Sequence, residues 1–174
     1  MHLSESFTPR LIFSGLVLIC FGYIVVALAM EHLLGLEPCP LCILQRVAVI
    51  ACGLVALVAV LHAPMQKGMN LYRMLFILVA LIGAAISIRH LWLQSLPADQ
   101  VPACGPGLDY LLDVFPVTEV LTMVLSGDGS CAEVSWSFLG LTIPGWTLIA
   151  FLILIAIAAF MIKNEPSSDT LGEH

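Results

Sequence analysis

Four apolar runs, each close to the length needed to cross a bilayer, constrain this chain more than any other feature of it. Residues 11–30 carry no charge, 43–61 hold only Arg46, 71–93 hold Arg73 near one end and Arg89 with His90 near the other, and 143–162 stay uncharged up to Lys163. A helix needs about 20 such residues to span about 30 Å of hydrocarbon. The runs lack strict alternation and are roughly twice the 9–11 residues of a membrane barrel strand, so helices are expected. The chain is 60% hydrophobic and 10% charged, against about 45–50% and about 25% in ordinary soluble domains. In 174 residues a core cannot take up that much apolar surface, so lipid must be the solvent. The expected fold is an all-α membrane protein, a four-transmembrane-helix bundle forming a single membrane domain over 1–174. A formal charge of −6 excludes nucleic acid as a partner, which requires a basic surface.

The first run has a rival reading as a secretory signal, because Ala27-Leu28-Ala29 has the form of a cleavage site. Its apolar stretch exceeds the usual length for such a segment and only Arg10 precedes it, so an uncleaved helix is expected. Orientation follows from the basic residues. Arg10 precedes the first helix, Lys67 and Arg73 flank the connection between the second and third, and Lys163 follows the fourth. Residues 95–145 contain no Lys or Arg but hold Asp99, Asp109, Asp113, Glu119, Asp128 and Glu133. The positive-inside rule then puts both termini in the cytoplasm and the loops at 31–41 and 95–142 on the opposite side.

The long loop has internal order. Pro97, Pro102, Gly105, Pro106 and Gly107 surround Cys104 and break regular structure there. Val117, Val120, Leu121, Val124 and Leu125 recur at helical spacing opposite Thr118, Glu119, Thr122 and Ser126. Pro116 suits a first helical position. A short amphipathic helix lying on the outer membrane surface is expected, with residues 126–129 (SGDG) as a flexible hinge before Cys131. The tail beyond residue 163 is expected to be disordered.

Six cysteines divide by this topology. Cys20 and Cys52 fall mid-helix and read as small packing residues. Cys39, Cys42, Cys104 and Cys131 all lie on the outer face, which in a bacterial inner membrane is oxidising. Four cysteines allow three pairings; with Cys39–Cys42 and Cys104–Cys131 each loop closes on itself. A staple role suits a pair closing a long loop but not a Cys-x-x-Cys ring, which stabilises little. A Cys₄ zinc site is the other alternative, but the second pair is split by a long segment, and no metal is expected. Pro40 instead places the Cys-x-x-Cys at a helix N-terminus, where free N–H groups and the helix dipole favour a thiolate. Arg46 stands one turn beyond Cys42, and an arginine inside a span is costly enough to suggest function. The third run ends at the same face with Arg89, His90 and Gln94. A thiolate, a cation and hydrogen-bond donors at the lipid boundary would suit a quinone, with its apolar tail, carbonyl oxygens and capacity for two electrons.

These features resemble the DsbB family of disulfide-forming membrane proteins: Cys39-Pro-Leu-Cys42 followed by Arg46, HLWLQ ending at Gln94, Cys104 and Cys131 in the long loop, then FLGLTIPGW (138–146) leading into the last helix. The resemblance implies a protein-dithiol:quinone oxidoreductase of the bacterial inner membrane. It implies that a periplasmic DsbA-type dithiol attacks a Cys104–Cys131 disulfide through Cys104. Electrons would then pass from Cys131 to Cys39, leaving Cys42 to face ubiquinone or menaquinone. Arg46 would stabilise that thiolate and the charge developing on the quinone, with His90 and Gln94 beside it. A vitamin K epoxide reductase-like enzyme also pairs a membrane Cys-x-x-Cys with loop cysteines, and a non-enzymatic scaffold stapled by disulfides is the reading from another class. Direction of electron flow separates the first, and quinone dependence the second.

Overall fold

The computed structural model describes residues 3–62, 64, 66–97, 99–103, 105 and 108–163. Cys104, two of the breakers beside it (Pro106 and Gly107) and the tail from residue 164 lie outside them. Four long helices form the bundle: α1 (Leu3–Leu34), α2 (Pro40–His62), α3 (Gln66–Gln94) and α7 (Ile143–Lys163). Each contains a stretch long and apolar enough to cross a membrane. The first three begin earlier or end later than hydropathy marks, because a helix continues past the hydrocarbon wherever its backbone stays paired. α1 runs unbroken through Ala27–Ala29 and packs along α2.

The bundle runs in sequence from α1 to α2 to α3, and α3 then packs along α7. Tyr23 and Thr147 close the ring between α1 and α7 through hydroxyls 2.5 Å apart. Inside, α2 and α3 present mainly small residues: Ala48, Cys52, Ala56, Ala59, Ala80 and Ala84 are buried. Large apolar side chains such as Leu18, Phe21, Leu61, Leu71 and Phe160 point outward. This inside-out distribution is what lipid demands, since helices in lipid associate by close backbone approach rather than by burying leucine. Cys20 and Cys52 belong to this core as the sequence implied. At Gly83 the packing is close: a Cβ there would stand 2.2 Å from Cζ of Phe151 on α7.

Between α3 and α7 the chain folds over one end of the bundle as α4 (Leu108–Val114), α5 (Val117–Ser126), α6 (Gly129–Ala132) and a hairpin of β1 (Ser137–Phe138) with β2 (Leu141–Thr142). The expected amphipathic helix is α5, with Pro116 as its N-cap rather than its first helical residue; the Pro116 carbonyl accepts from Val120 N–H at 3.1 Å. Its apolar face is shared between two environments. Val120 and Val124 pack with Leu41, Leu93 and Leu111 in a second, smaller core, whereas Val117, Leu121 and Leu125 remain exposed. The SGDG stretch forms a capped junction between α5 and α6. Gly127 ends α5 at φ 79°, donating to the Val124 carbonyl at 3.0 Å. Asp128 caps α6 by accepting from Cys131 N–H at 3.2 Å. The hairpin turns through Leu139 and Gly140, both with positive φ, as a two-residue loop matched to strand twist requires.

Gly83→Ala should destabilise the α3–α7 contact by about 1–3 kcal/mol, the usual cost of overpacking. Thermal unfolding in detergent should show a lowered midpoint, whereas Gly15→Ala, with nothing within 4 Å of the added methyl, should leave it unchanged.

Candidate functional site

Proline at the first position of α2 needs no N–H partner, and it leaves Cys39 at the N-cap. The Cys39 carbonyl accepts from Ile43 N–H at 3.1 Å, and its sulfur accepts from Cys42 N–H at 3.4 Å. The helix N-terminus that the sequence placed beside the motif therefore directs an N–H at Cys39. The Cys39 thiol in turn donates to the Cys42 sulfur 3.3 Å away. The third sulfur comes from α6. Cys131 is fully buried in the smaller core, against which Cys39 also packs. A hydrogen bond to Cys39, reinforced by burial, pushes the Cys131 thiol well above the ordinary cysteine range. Cys39 thus stands between the other two: it donates to the Cys42 sulfur and packs against the small core that buries Cys131.

α3 lines the other side. His90 is buried, with Nε2 3.7 Å from the Cys39 sulfur and Nδ1 3.3 Å from Nε2 of Gln45. With the Gln45 amide donating to Nδ1, neutral His90 carries its proton on Nε2, facing Cys39. Gln45 was not singled out in the sequence. The available signal was an uncharged amide inside an apolar run, which burial obliges to find a partner.

Arg46 lies about 9 Å along α2 from Pro40, at 1.5 Å per residue. Its guanidinium forms a salt bridge with Glu31 and donates to the Ala27 carbonyl at 3.3 Å. The direct partners of Arg46 are therefore on α1, not on Cys42. An arginine at the centre of a span costs about 2.5–3.5 kcal/mol on insertion scales, and a carboxylate plus a carbonyl offset that. Glu31 is a second residue the sequence reading passed over, because it sits at the end of an uncharged run and has no partner nearby in sequence.

Cys42, Arg46, His90 and Gln94 nevertheless line one cavity of about 1130 Å³, together with Tyr23, Glu31, Ile143 and Trp146. The hairpin forms part of its wall: Thr142 Oγ1 donates to Gln94 Oε1 at 2.8 Å, and Trp146 Nε1 to the Phe138 carbonyl at 3.2 Å. The 138–146 stretch is thus a clasp joining α3 to α7. Arg89, expected beside His90, points elsewhere. Its Nε and Nη2 donate to the Leu125 and Ser126 carbonyls at 3.2 and 2.9 Å, and its guanidinium stacks 4.2 Å over Trp92. A cation on the last carbonyls of α5 is a favourable cap, and it fixes the segment leading to Cys131. Gly127 completes that docking, because a Cβ there would meet Leu93 Cδ1 at 2.2 Å. The expected partner of Cys131, Cys104, is outside the described residues, but Ala103 O lies 3.4 Å from Gly129 N.

The sequence model of the family described as "Disulfide bond formation protein DsbB" matches residues 9–161. The chain belongs to that family. A "Disulfide bond formation protein B" of Marinobacter nauticus is 54% identical over 160 residues, covering 92% of this chain and 95% of that one. Proteins of the same name from Nitrosococcus oceani and Hahella chejuensis are 58% and 52% identical, over 83% and 91% of this chain and 85% and 96% of theirs. The family and the four apolar helices make this DsbB-family chain a multi-pass membrane protein of disulfide formation.

The raised Cys131 thiol has a measurable consequence. Only thiolate reacts with iodoacetamide, and each unit of upward shift removes about tenfold of it at a given pH. In the reduced folded protein at pH 8, Cys131 should alkylate at least about tenfold more slowly than in the denatured chain. The folded rate should still be climbing above pH 9; a plateau at the ordinary cysteine value would contradict the raised Cys131 thiol.

Proposed function

We propose that this protein reoxidises a periplasmic DsbA-type dithiol and delivers the two electrons to a membrane quinone, with both termini in the cytoplasm of a bacterial inner-membrane protein. The observation that carries this reading is the position of Cys39: it packs against the small core that buries Cys131 on the loop side and donates to Cys42 on the cavity side. An incoming thiolate opens the Cys104–Cys131 disulfide at Cys104, forming a mixed disulfide and releasing Cys131 as thiolate. The partner's second thiol resolves that mixed disulfide and leaves oxidised. Cys131 attacks Cys39 of the Cys39–Cys42 disulfide, and Cys42 departs as thiolate into the cavity. Attack of Cys104 on the Cys39–Cys131 bond restores the loop disulfide and leaves Cys39 and Cys42 reduced.

The cavity fits a quinone headgroup in chemistry as well as size. Arg46, His90 and Gln94 bring polar groups to one wall, while Met30, Ile143 and Trp146 supply apolar surface. A bound quinone would accept two electrons and two protons and leave as quinol. Around it, Arg46 holds positive charge beside Cys42, Glu31 keeps that guanidinium in place, and His90 offers a proton at Nε2 next to Cys39. Thr142 fixes the orientation of the Gln94 amide.

Purified protein given reduced DsbA-type substrate and a soluble ubiquinone should consume quinone, followed by ultraviolet absorbance. Cys39→Ala and Cys42→Ala should abolish turnover, and Arg46→Gln should raise the KM for quinone while the protein stays folded. Turnover at the parent rate in either cysteine variant would defeat the assignment. An unchanged quinone KM in Arg46→Gln would remove that residue from the site.

A further inference from the structure

Three side chains at this centre satisfy a second chemistry. Cys39 Sγ, Cys42 Sγ and one ring nitrogen of His90 all lie within 4.8 Å of one another. The two separations from the Cys39 sulfur are 3.3 Å to Cys42 and 3.7 Å to His90 Nε2. Tetrahedral zinc, with Zn–S about 2.3 Å and Zn–N about 2.0 Å, puts neighbouring ligand atoms about 3.5–3.8 Å apart. Ligand movements of a few tenths of an ångström at those two edges would therefore suffice. We propose that the dithiol form of this centre binds a soft divalent cation of the zinc type through Cys39, Cys42 and His90 Nε2.

The surroundings suit such an ion. Two thiolates cancel its charge, and Glu31 already balances the nearby Arg46, so the cation meets no uncompensated positive neighbour. A ligating histidine donates its other N–H to an outer acceptor. Gln45 is placed for that role at Nδ1; a half-turn of its amide presents Oε1 in place of Nε2. Binding releases one proton from each ligating thiol to solvent. No electrons move, and the cysteines are held reduced and unable to exchange. The Cys39–Cys42 disulfide, with no thiolate to offer, does not bind. The site thus responds to redox state and is separate from any use of quinone.

The probe is cobalt(II) added anaerobically to the full-length protein in detergent. The reduced parent should take up one equivalent, with thiolate-to-metal absorption in the near ultraviolet and tetrahedral bands in the visible, both erased by zinc. Protein oxidised beforehand at Cys39–Cys42 serves as a control with the same fold and should show neither. Cys42→Ser and His90→Ala should lose the signal, and Gln45→Leu should weaken affinity about 10–100-fold, as loss of an outer partner does. Equal uptake by the oxidised parent, or an unchanged spectrum in Cys42→Ser and His90→Ala, would overturn the proposal, as would no uptake by the reduced parent.

Discussion

The packing of Cys39 against the small core that buries Cys131 is the constraint around which the segment between α3 and α7 is arranged. One sulfur comes from a four-residue helix in a long loop and the other from the N-cap of a spanning helix. Holding them together requires α6 to be docked in register with α2. Several otherwise unconnected features serve that end. Val120 and Val124 seat α5 on the ends of α2 and α3, Arg89 binds the α5 C-terminus, Gly127 lets Leu93 approach, and Asp128 starts α6. Loss of any one loosens the Cys131 segment without touching a cysteine.

The second organising principle is how polar groups are carried by an apolar scaffold. Four of them are matched by a partner on a neighbouring element: Arg46 by Glu31, Gln45 by His90, Tyr23 by Thr147 and Gln94 by Thr142. Because unsatisfied polar groups are expensive in lipid, these pairs also fix the relative rotation of the helices. The cavity exists because the pairs gather at one end of the bundle, where α1, α2, α3, α7 and the hairpin meet.

Much of this was legible in the sequence. Hydropathy marked all four spans, Pro40 marked the start of α2, and Cys42, Arg46, His90 and Gln94, grouped at one face from their spacing, do line one cavity. What escaped were interactions whose two members are far apart in the chain. Glu31 is 15 residues from Arg46 and Gln45 is 45 from His90, and neither pair follows from helical periodicity. Arg89 was grouped with His90 because they are adjacent, yet successive helix positions differ by about 100°, so the two face different neighbours. The Ser137–Thr142 hairpin was hidden by its brevity, since two-residue strands have no detectable alternation. The caps within SGDG were hidden for a local reason: glycine and aspartate suit a hinge and are also the residues that end one helix and cap the next.

Electron transfer between the two cysteine pairs requires that Cys131 reach Cys39 within one folded chain. The direct measurement is peptide mapping by mass spectrometry of a Cys42→Ser/Cys104→Ser variant after mild oxidation in detergent. An intramolecular Cys39–Cys131 disulfide is the predicted product, with Cys20 and Cys52 left as thiols in the core. Cys39 and Cys131 remaining unlinked, or linking only between separate chains, would contradict it.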